Sequence, residues 1–249
     1  MTNKLIRLSK LISHAGICSR KNAEFLIKNG DVKINDNVFK EFFIEKSLIK
    51  SIKVKDKPLT NIKTRVWILN KPVGYVSSNK EQFSQKSLFR LVPKDLPRVV
   101  SVGRLDIKSE GLLLLTTNPK LSSYLEDPSN KIERRYIVKV SGKIPENLDK
   151  LVEGQFLVDG ILYNEIKIRL SNSEEKNMME VKLTEGKNRE IRKVLNYFNL
   201  KVQKLKRISF GPFELNDIGI GNLVEIEIKF LNKLLNSIGF TDENNFRQI

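Results

Sequence analysis

Cysteine is almost missing from this chain: Cys18 stands alone, and so does the histidine, His14. No intramolecular disulfide can form, and the two residues together fall short of a metal-ligand set. No apolar run approaches the roughly 20 residues that span a bilayer. Met1-Thr2-Asn3-Lys4 opens onto an amphipathic segment rather than the apolar stretch of a secretion signal. A reducing, cytoplasmic compartment is therefore expected, with no metal, no cofactor and no membrane association. Acidic residues are also short: 29 Asp and Glu face 45 Lys and Arg, a net charge of +16. An excess of that size points to a polyanion, nucleic acid before lipid. The hydrophobic content of 40% is enough for a real core and excludes wholesale disorder.

The basic charge is densest at the front, where residues 1–62 hold 13 Lys and Arg against 6 Asp and Glu. Leu8, Leu11, Ile12 and Ala15 recur at the spacing of one buried helical face, and Gly16 can close that helix. Ser19 is placed to cap a second helix whose apolar face is Ala23, Leu26 and Ile27, ended by Gly30. Val32 and Ile34 then alternate into the turn signal Asn35-Asp36-Asn37. Arg7, Lys10, Arg20, Lys21 and Lys28 lie off the apolar faces, where a small helical pair can grip phosphates without reading bases. Ser47–Val54 is open to a further strand, and Lys57–Lys63 reads as a linker.

The remainder is richer in strands than in helices. Strands are expected at Arg65–Leu69, Tyr136–Val140, Glu165–Leu170, Met179–Leu183, Lys204–Ile208 and Val224–Phe230. Leu112–Thr117 is an apolar run of the kind that forms a strand buried on both faces. Asn118-Pro119 announces a helix that ends before Asp127-Pro128, and Leu88, Leu91 and Val92 mark a short one. Strands and helices do not alternate regularly, which predicts an α+β fold around a mixed, largely antiparallel sheet. The expected division is 1–60 for the basic module, 63–230 for the main domain and 231–249 for a tail.

Two segments carry chemistry. In Val102-Gly103-Arg104-Leu105-Asp106 a carboxylate sits in a loop just before the buried run, where partial burial sharpens it as a nucleophile or base if a cation accompanies it. In a helix over Asn188–Leu200, Ile191, Val194, Leu195 and Phe198 form the apolar face. Helical geometry then puts Arg192 on the flank of that face, within reach of a buried acid, and points Arg189 outward to meet a phosphate.

These residues also carry a resemblance. R-L-S-K-L-I-S-H-A-G-I-C-S-R with I-K-N-G-D-V-K-I-N resembles the S4 RNA-binding module. V-G-R-L-D-I-K-S-E-G-L-L-L-L-T-T, E-R-R-Y-I-V-K-V and E-G-K-N-R-E-I-R-K-V together resemble the RsuA/RluB family of ribosomal RNA pseudouridine synthases. The resemblance implies that Asp106 is the catalytic aspartate and that Tyr136 stacks on a flipped uridine and exchanges its C5 proton. It implies that Arg192 pairs with Asp106, that Ile191 walls the pocket and that Arg104 lies on the RNA side. A monomer acting on ribosomal RNA, free or in a pre-ribosomal particle, is the implied setting. Val100-Ser101-Val102 and the leucine run resemble the large-subunit branch. The chain departs from the family pattern at Arg134, usually Lys, and at Glu190, commonly Gln, which adds a negative charge beside the cleft.

Other readings stay open at this level. They are a non-catalytic S4-type RNA-binding or ribosome-assembly protein, a small-subunit enzyme, and a hydrolase pairing Asp106 with Glu110. An S4-containing tRNA synthetase would need more length and a nucleotide-binding signature.

Overall fold

In the computed structural model residues 5–60, 63–78, 85–171 and 177–241 are described. The front unit forms as its periodicity dictates. Helices α1 (Leu8–His14) and α2 (Arg20–Lys28) bury Leu8, Leu11, Ile12, Ala23 and Ile27 in a core of their own. The Ser19 side chain caps α2 by accepting from Asn22 N, and Gly16 turns with φ +72°. A four-stranded antiparallel sheet follows, ordered Asn37–Val38, Val32–Ile34, Ile52–Val54, Lys57–Pro58. Its two hairpins turn through Asn35-Asp36 and Lys55-Asp56, all four at positive φ, as tight primed turns require. The expected linker is thus corrected at its start, since Lys57–Pro58 pairs with Lys53 and Val54. Its residues 61–62 lie outside the described residues. The strand considered over Ser47–Val54 is a 3-10 turn, Lys46–Ser51, leading into Ile52–Val54.

The larger unit is built on one nine-stranded sheet. Its main strands are β1 (Val66–Lys71), β2 (Glu110–Thr116), β3 (Arg134–Ser141), β4 (Lys167–Leu170), β5 (Met178–Leu183), β6 (Lys201–Phe210) and β7 (Leu223–Glu225). Their spatial order is β4-β5-β3-β6-β2-β1-β7, with Val100–Val102 on β2 and Phe213–Glu214 on β6. The pairing of β2 with β6 is parallel, and every other pair in the sheet is antiparallel. An α+β fold around a mixed, largely antiparallel sheet is what the pattern of elements predicted, and the sheet has that character.

The leucine run explains why this sheet has two cores. Leu113 and Leu115 join Trp67 and Leu69 on one face, while Leu112 and Leu114 join Val66 and Ile68 on the other. Each such side chain contributes about 1.5–3 kcal/mol by leaving water, so a single charge in place of any of the four leucines of β2 would be severely disruptive. One face is covered by α4 (Leu148–Leu151) and α5 (Glu190–Tyr197), the other by α3 (Pro119–Glu126) and α6 (Ile228–Ser237). Asn118 caps α3 by accepting from Lys120 N at 2.9 Å, and Pro119 fills the first turn.

Two expectations need correction here. Of the strand expected at Val224–Phe230 only Val224 and Glu225 are extended, in the strand Leu223–Glu225; Ile228–Ser237 is helical and buries Leu231 and Leu235. The period-two alternation of V-E-I-E-I-K-F overlaps a helical spacing at Ile228, Leu231 and Leu235, and packing decides for the helix. The boundary at 230 therefore cuts through α6, and residues 231–241 are part of the main core rather than a tail. Residues 242–249 lie outside the described residues.

Candidate active site

Asp106 sits in the loop between Val100–Val102 and β2, with its side chain 27% exposed. That loop is clamped by the segment following β1. Ser77 Oγ accepts from Leu105 N at 3.1 Å and donates to Leu105 O at 3.0 Å. Gly74 N donates to Ile107 O at 2.7 Å. Lys71, wholly buried, donates from Nζ to the carbonyls of Pro72 (3.0 Å), Asp106 (3.2 Å) and Ser109 (2.8 Å). Burial pulls the Lys71 ammonium down from 10.5 to about 8, Asp106 and Glu110 opposing and Arg207 reinforcing the fall. Beyond the loop, Gly111 is obligatory. Its φ is +100°, and a Cβ there would lie 2.2 Å from the Arg207 carbonyl oxygen, where β2 and β6 meet.

Two guanidinium groups converge on the carboxylate. Arg192 Nε lies 3.5 Å and Arg189 Nη1 3.6 Å from Asp106 Oδ2. Arg192 is further braced by donating to Lys108 O at 2.9 Å and Val202 O at 3.3 Å. Its burial lowers its pKa and Asp106 opposes that fall. The flank position deduced for Arg192 is thus the observed one. Arg189 corrects the wheel reading. It precedes α5 as a left-handed N-cap residue, φ +54°, so its side chain turns back to Asp106 instead of pointing outward. A non-glycine residue in that conformation is strained, a feature that concentrates at functional sites.

Tyr136 lies on β3 between Val181 and Arg207 of the neighbouring strands, next to a bulge that leaves Ile208 without a register partner. Bulges commonly re-aim a side chain beside a site. Tyr136, Leu105 and Ile191 belong to one buried apolar cluster, so the residues flanking Asp106 in sequence and those of α5 share a wall. Arg104 is exposed on the same loop. Arg7, Lys10, Arg20 and Lys21 are exposed on the front unit, away from this constellation, and Arg7 is paired with Glu24 at 2.8 Å. Between the units, Arg98 Nη1 donates to Ser13 O at 3.5 Å. His14, at the end of α1, is lowered to about 4 by burial and by Lys10, Arg20 and Lys120.

Arg134 and Glu190 take structural places. The Arg134 guanidinium is buried over the Phe210 ring, 4.6 Å to its centroid, and donates to Thr184 O and Leu125 O. Glu190 is buried, and burial followed by the charge of Glu185 pushes its carboxyl well above the usual carboxylate range, which disfavours a negative charge there. Glu110 is ion-paired with Lys204 at 3.3 Å. Sequence reasoning passed over Lys71. Its signal was a lysine ending an apolar strand immediately before proline and glycine. Among the described residues no group of three His, Cys, Asp or Glu side chains is placed to hold a metal ion.

A carboxylate between two guanidinium groups, beside an aromatic and aliphatic wall on a basic protein, suits chemistry on a neutral planar base of a nucleic acid. Comparison with known proteins agrees. Residues 65–197 match the family model described as RNA pseudouridylate synthase. An uncharacterised RNA pseudouridine synthase of Rickettsia typhi is 40% identical over 238 residues, 94% of this chain and 96% of that protein. Ribosomal large subunit pseudouridine synthase B of Buchnera aphidicola is 33% identical over 95% of this chain and 98% of its own length. A crystal structure of a pseudouridylate synthase shares the fold, with a TM-score of 0.66 and 24% identity over 92% of this chain and 99% of that one. The chain belongs to the RNA pseudouridine synthase family. It is an isomerase that makes pseudouridine from uridine in RNA.

Proposed function

We propose that the substrate is a uridine of large-subunit ribosomal RNA, that Asp106 is the catalytic carboxylate, and that residues 1–60 act as an S4-type RNA-binding module. The observation that carries the site reading is the seat of Asp106, fixed from behind by Lys71 and met from the front by Arg189 and Arg192. The large-subunit assignment is supported by the similarity, over 95% of this chain, to the Buchnera enzyme named for that subunit.

The reaction breaks C1′–N1, rotates the base, forms C1′–C5 and moves the C5 proton to N1. Atoms and oxidation state are conserved, so no external reductant or energy source enters. A stacked uridine is unreachable, and flipping it out costs a few kcal/mol. Stacking on Tyr136 returns about 1–3 kcal/mol. Asp106 traps the sugar or the base while the bond is exchanged, Arg192 holds it in place and Ile191 keeps water from the wall. Arg104 and the front-unit residues Arg7, Lys10, Arg20 and Lys21 take the phosphates.

Mapping pseudouridine in ribosomal RNA from cells lacking the protein tests the substrate. Loss at a large-subunit position, restored by the wild-type gene, is expected. Loss confined to small-subunit RNA contradicts the branch, and an unchanged map contradicts the ribosomal substrate.

A further inference from the structure

The turn that brings both arginines to Asp106 is flanked by two buried carboxyl groups that the chemistry above does not use. Glu185 and Glu190 are 5% and 4% exposed. Glu185 is well supplied with donors: Asn164 N at 2.8 Å, Asn164 Nδ2 at 3.2 Å and Lys187 Nζ at 2.6 Å. Glu190 receives Lys187 N on Oε2 at 2.8 Å. Its other oxygen, Oε1, is buried without a hydrogen-bond partner among the described residues. An ionised carboxylate left in that state is costly. Protonation removes the difficulty, because Glu190 then becomes a donor and the Glu185 carboxylate within reach is its acceptor.

We propose that Glu185 and Glu190 share one proton, and that this acid–carboxylate pair is a positioning device that sets the Lys187–Glu190 turn and so places Arg189 and Arg192 on Asp106. The inference rests on the reading of Asp106 given above.

The neighbourhood supports a single negative charge. Of the cations facing the pair, Lys187 is committed to Glu185, and Arg134 on β3 to the Thr184 and Leu125 carbonyls. Tyr163 closes the pocket with Lys187 Nζ 5.3 Å from its ring centroid, and Asp159 lies beyond it, adding negative rather than positive potential. Burial and Glu185 accordingly raise Glu190 to about 8. Burial also pushes Glu185 up, but its bonds to Lys187 and Asn164 more than reverse this, leaving it lowered. The two groups titrate as a unit.

The geometry is short and direct. Glu190 N donates to Lys187 O at 3.1 Å while Lys187 N donates to the Glu190 carboxyl, a reciprocal brace across the turn. Arg189, held left-handed between them, and Arg192, two residues into α5, depend on that brace for their approach to Asp106. As pH rises through about 8 the second carboxyl ionises and the shared proton is lost. Glu185 then repels Glu190, which strains the turn even though the Lys187 N–H favours the ionised form. The rate of isomerisation should then fall with little change in RNA affinity.

Glutamine at 190 supplies the same shape and a permanent donor, so E190Q tests the idea without emptying the pocket. The experiment follows carbonyl-labelled glutamate by carbon NMR from mildly acidic to alkaline pH, alongside single-turnover rates on the same proteins. One glutamate carboxyl is expected to titrate near 8 in the wild type and to vanish in E190Q. The alkaline limb of the rate should be steeper in the wild type, since any step from Lys71 or the substrate is common to both proteins. E190A, which loses brace and donor together, should turn over about tenfold more slowly or worse at neutral pH, in line with a misplaced active-site group. If E190Q does not fold, E185Q serves, and the Glu190 carboxyl should then titrate lower than in the wild type. Absence of any glutamate titrating above the ordinary range overturns the shared proton. A shared proton with identical rate profiles in wild type and E190Q overturns the positioning role. Turnover by Asp106→Asn near the wild-type rate overturns the Asp106 reading instead, and the NMR titration still judges the proton.

Discussion

Arg192 Nε stands 3.5 Å from Asp106 Oδ2 on a side chain 10% exposed, while Arg189 approaches the same oxygen to 3.6 Å from a side chain 45% exposed. Equal distance and unequal burial separate their roles. Arg192→Met should slow isomerisation and lower stability by about 2–3 kcal/mol, because its charged hydrogen bonds to Lys108 O and Val202 O disappear as well. Arg189→Met should slow isomerisation too, at a stability cost below about 1 kcal/mol, as for an exposed pair. Chemical denaturation with single-turnover rates measures both. Equal stability losses would contradict the assignment of the buried brace to Arg192.

Lys71 gives a stability prediction with a defined pH window. Below about 8 both folded and unfolded chains carry the proton, and between about 8 and 10.5 only the unfolded chain does. Its contribution to stability therefore rises with pH across that window, by at most on the order of 3 kcal/mol. Lys71→Met removes the rise and leaves three carbonyls without their donor. Unfolding of both proteins at neutral and alkaline pH checks this, and parallel curves would show that Lys71 does not titrate as described.

Tyr136 is buried beside the cluster that includes Leu105 and Ile191. Tyr136→Phe should keep RNA affinity and lose turnover, since the ring remains and the phenolic proton does not. Tyr136→Leu should reduce both. Normal turnover in the Phe variant would leave the ring with a stacking role alone.

Much of this was legible in the chain because single elements had unambiguous periods or punctuation. The leucine run is buried on both faces as its length and composition required, and Asn118-Pro119 opens a helix that stops at Asp127. Arg192 could be placed from its helical phase alone. Arg189 could not, because a left-handed residue outside the helix obeys no helical wheel. The hairpin of Phe156–Val158 and Ile161–Tyr163 was announced by Asp159-Gly160 and passed over. The role of Lys71 and the burial of Glu190, named only as an added charge, escaped for another reason. Their partners, the Asp106 and Ser109 carbonyls for one and Glu185 for the other, are assembled by tertiary packing, and a charged residue read in sequence defaults to the surface.

The front unit should contribute through salt-dependent binding. Arg20 and Lys21 open α2 and are exposed. Replacing both by Gln should flatten the dependence of log affinity on log salt by about 0.7–0.9 for each phosphate that the pair no longer neutralises, with turnover at saturating RNA retained. Titration of ribosomal RNA at several salt concentrations measures it. An unchanged slope would mean that these two residues do not touch RNA in the complex.

The most direct test of the central claim is the yield of pseudouridine from uridine-containing ribosomal RNA incubated with the wild-type protein and with Asp106→Asn. The substitution preserves size and removes the charge that Arg189 and Arg192 meet. The wild type should form pseudouridine without releasing free base, and the Asn variant should bind the RNA within a few-fold of wild type and form none. Turnover by the Asn variant near the wild-type rate would contradict the role assigned to Asp106.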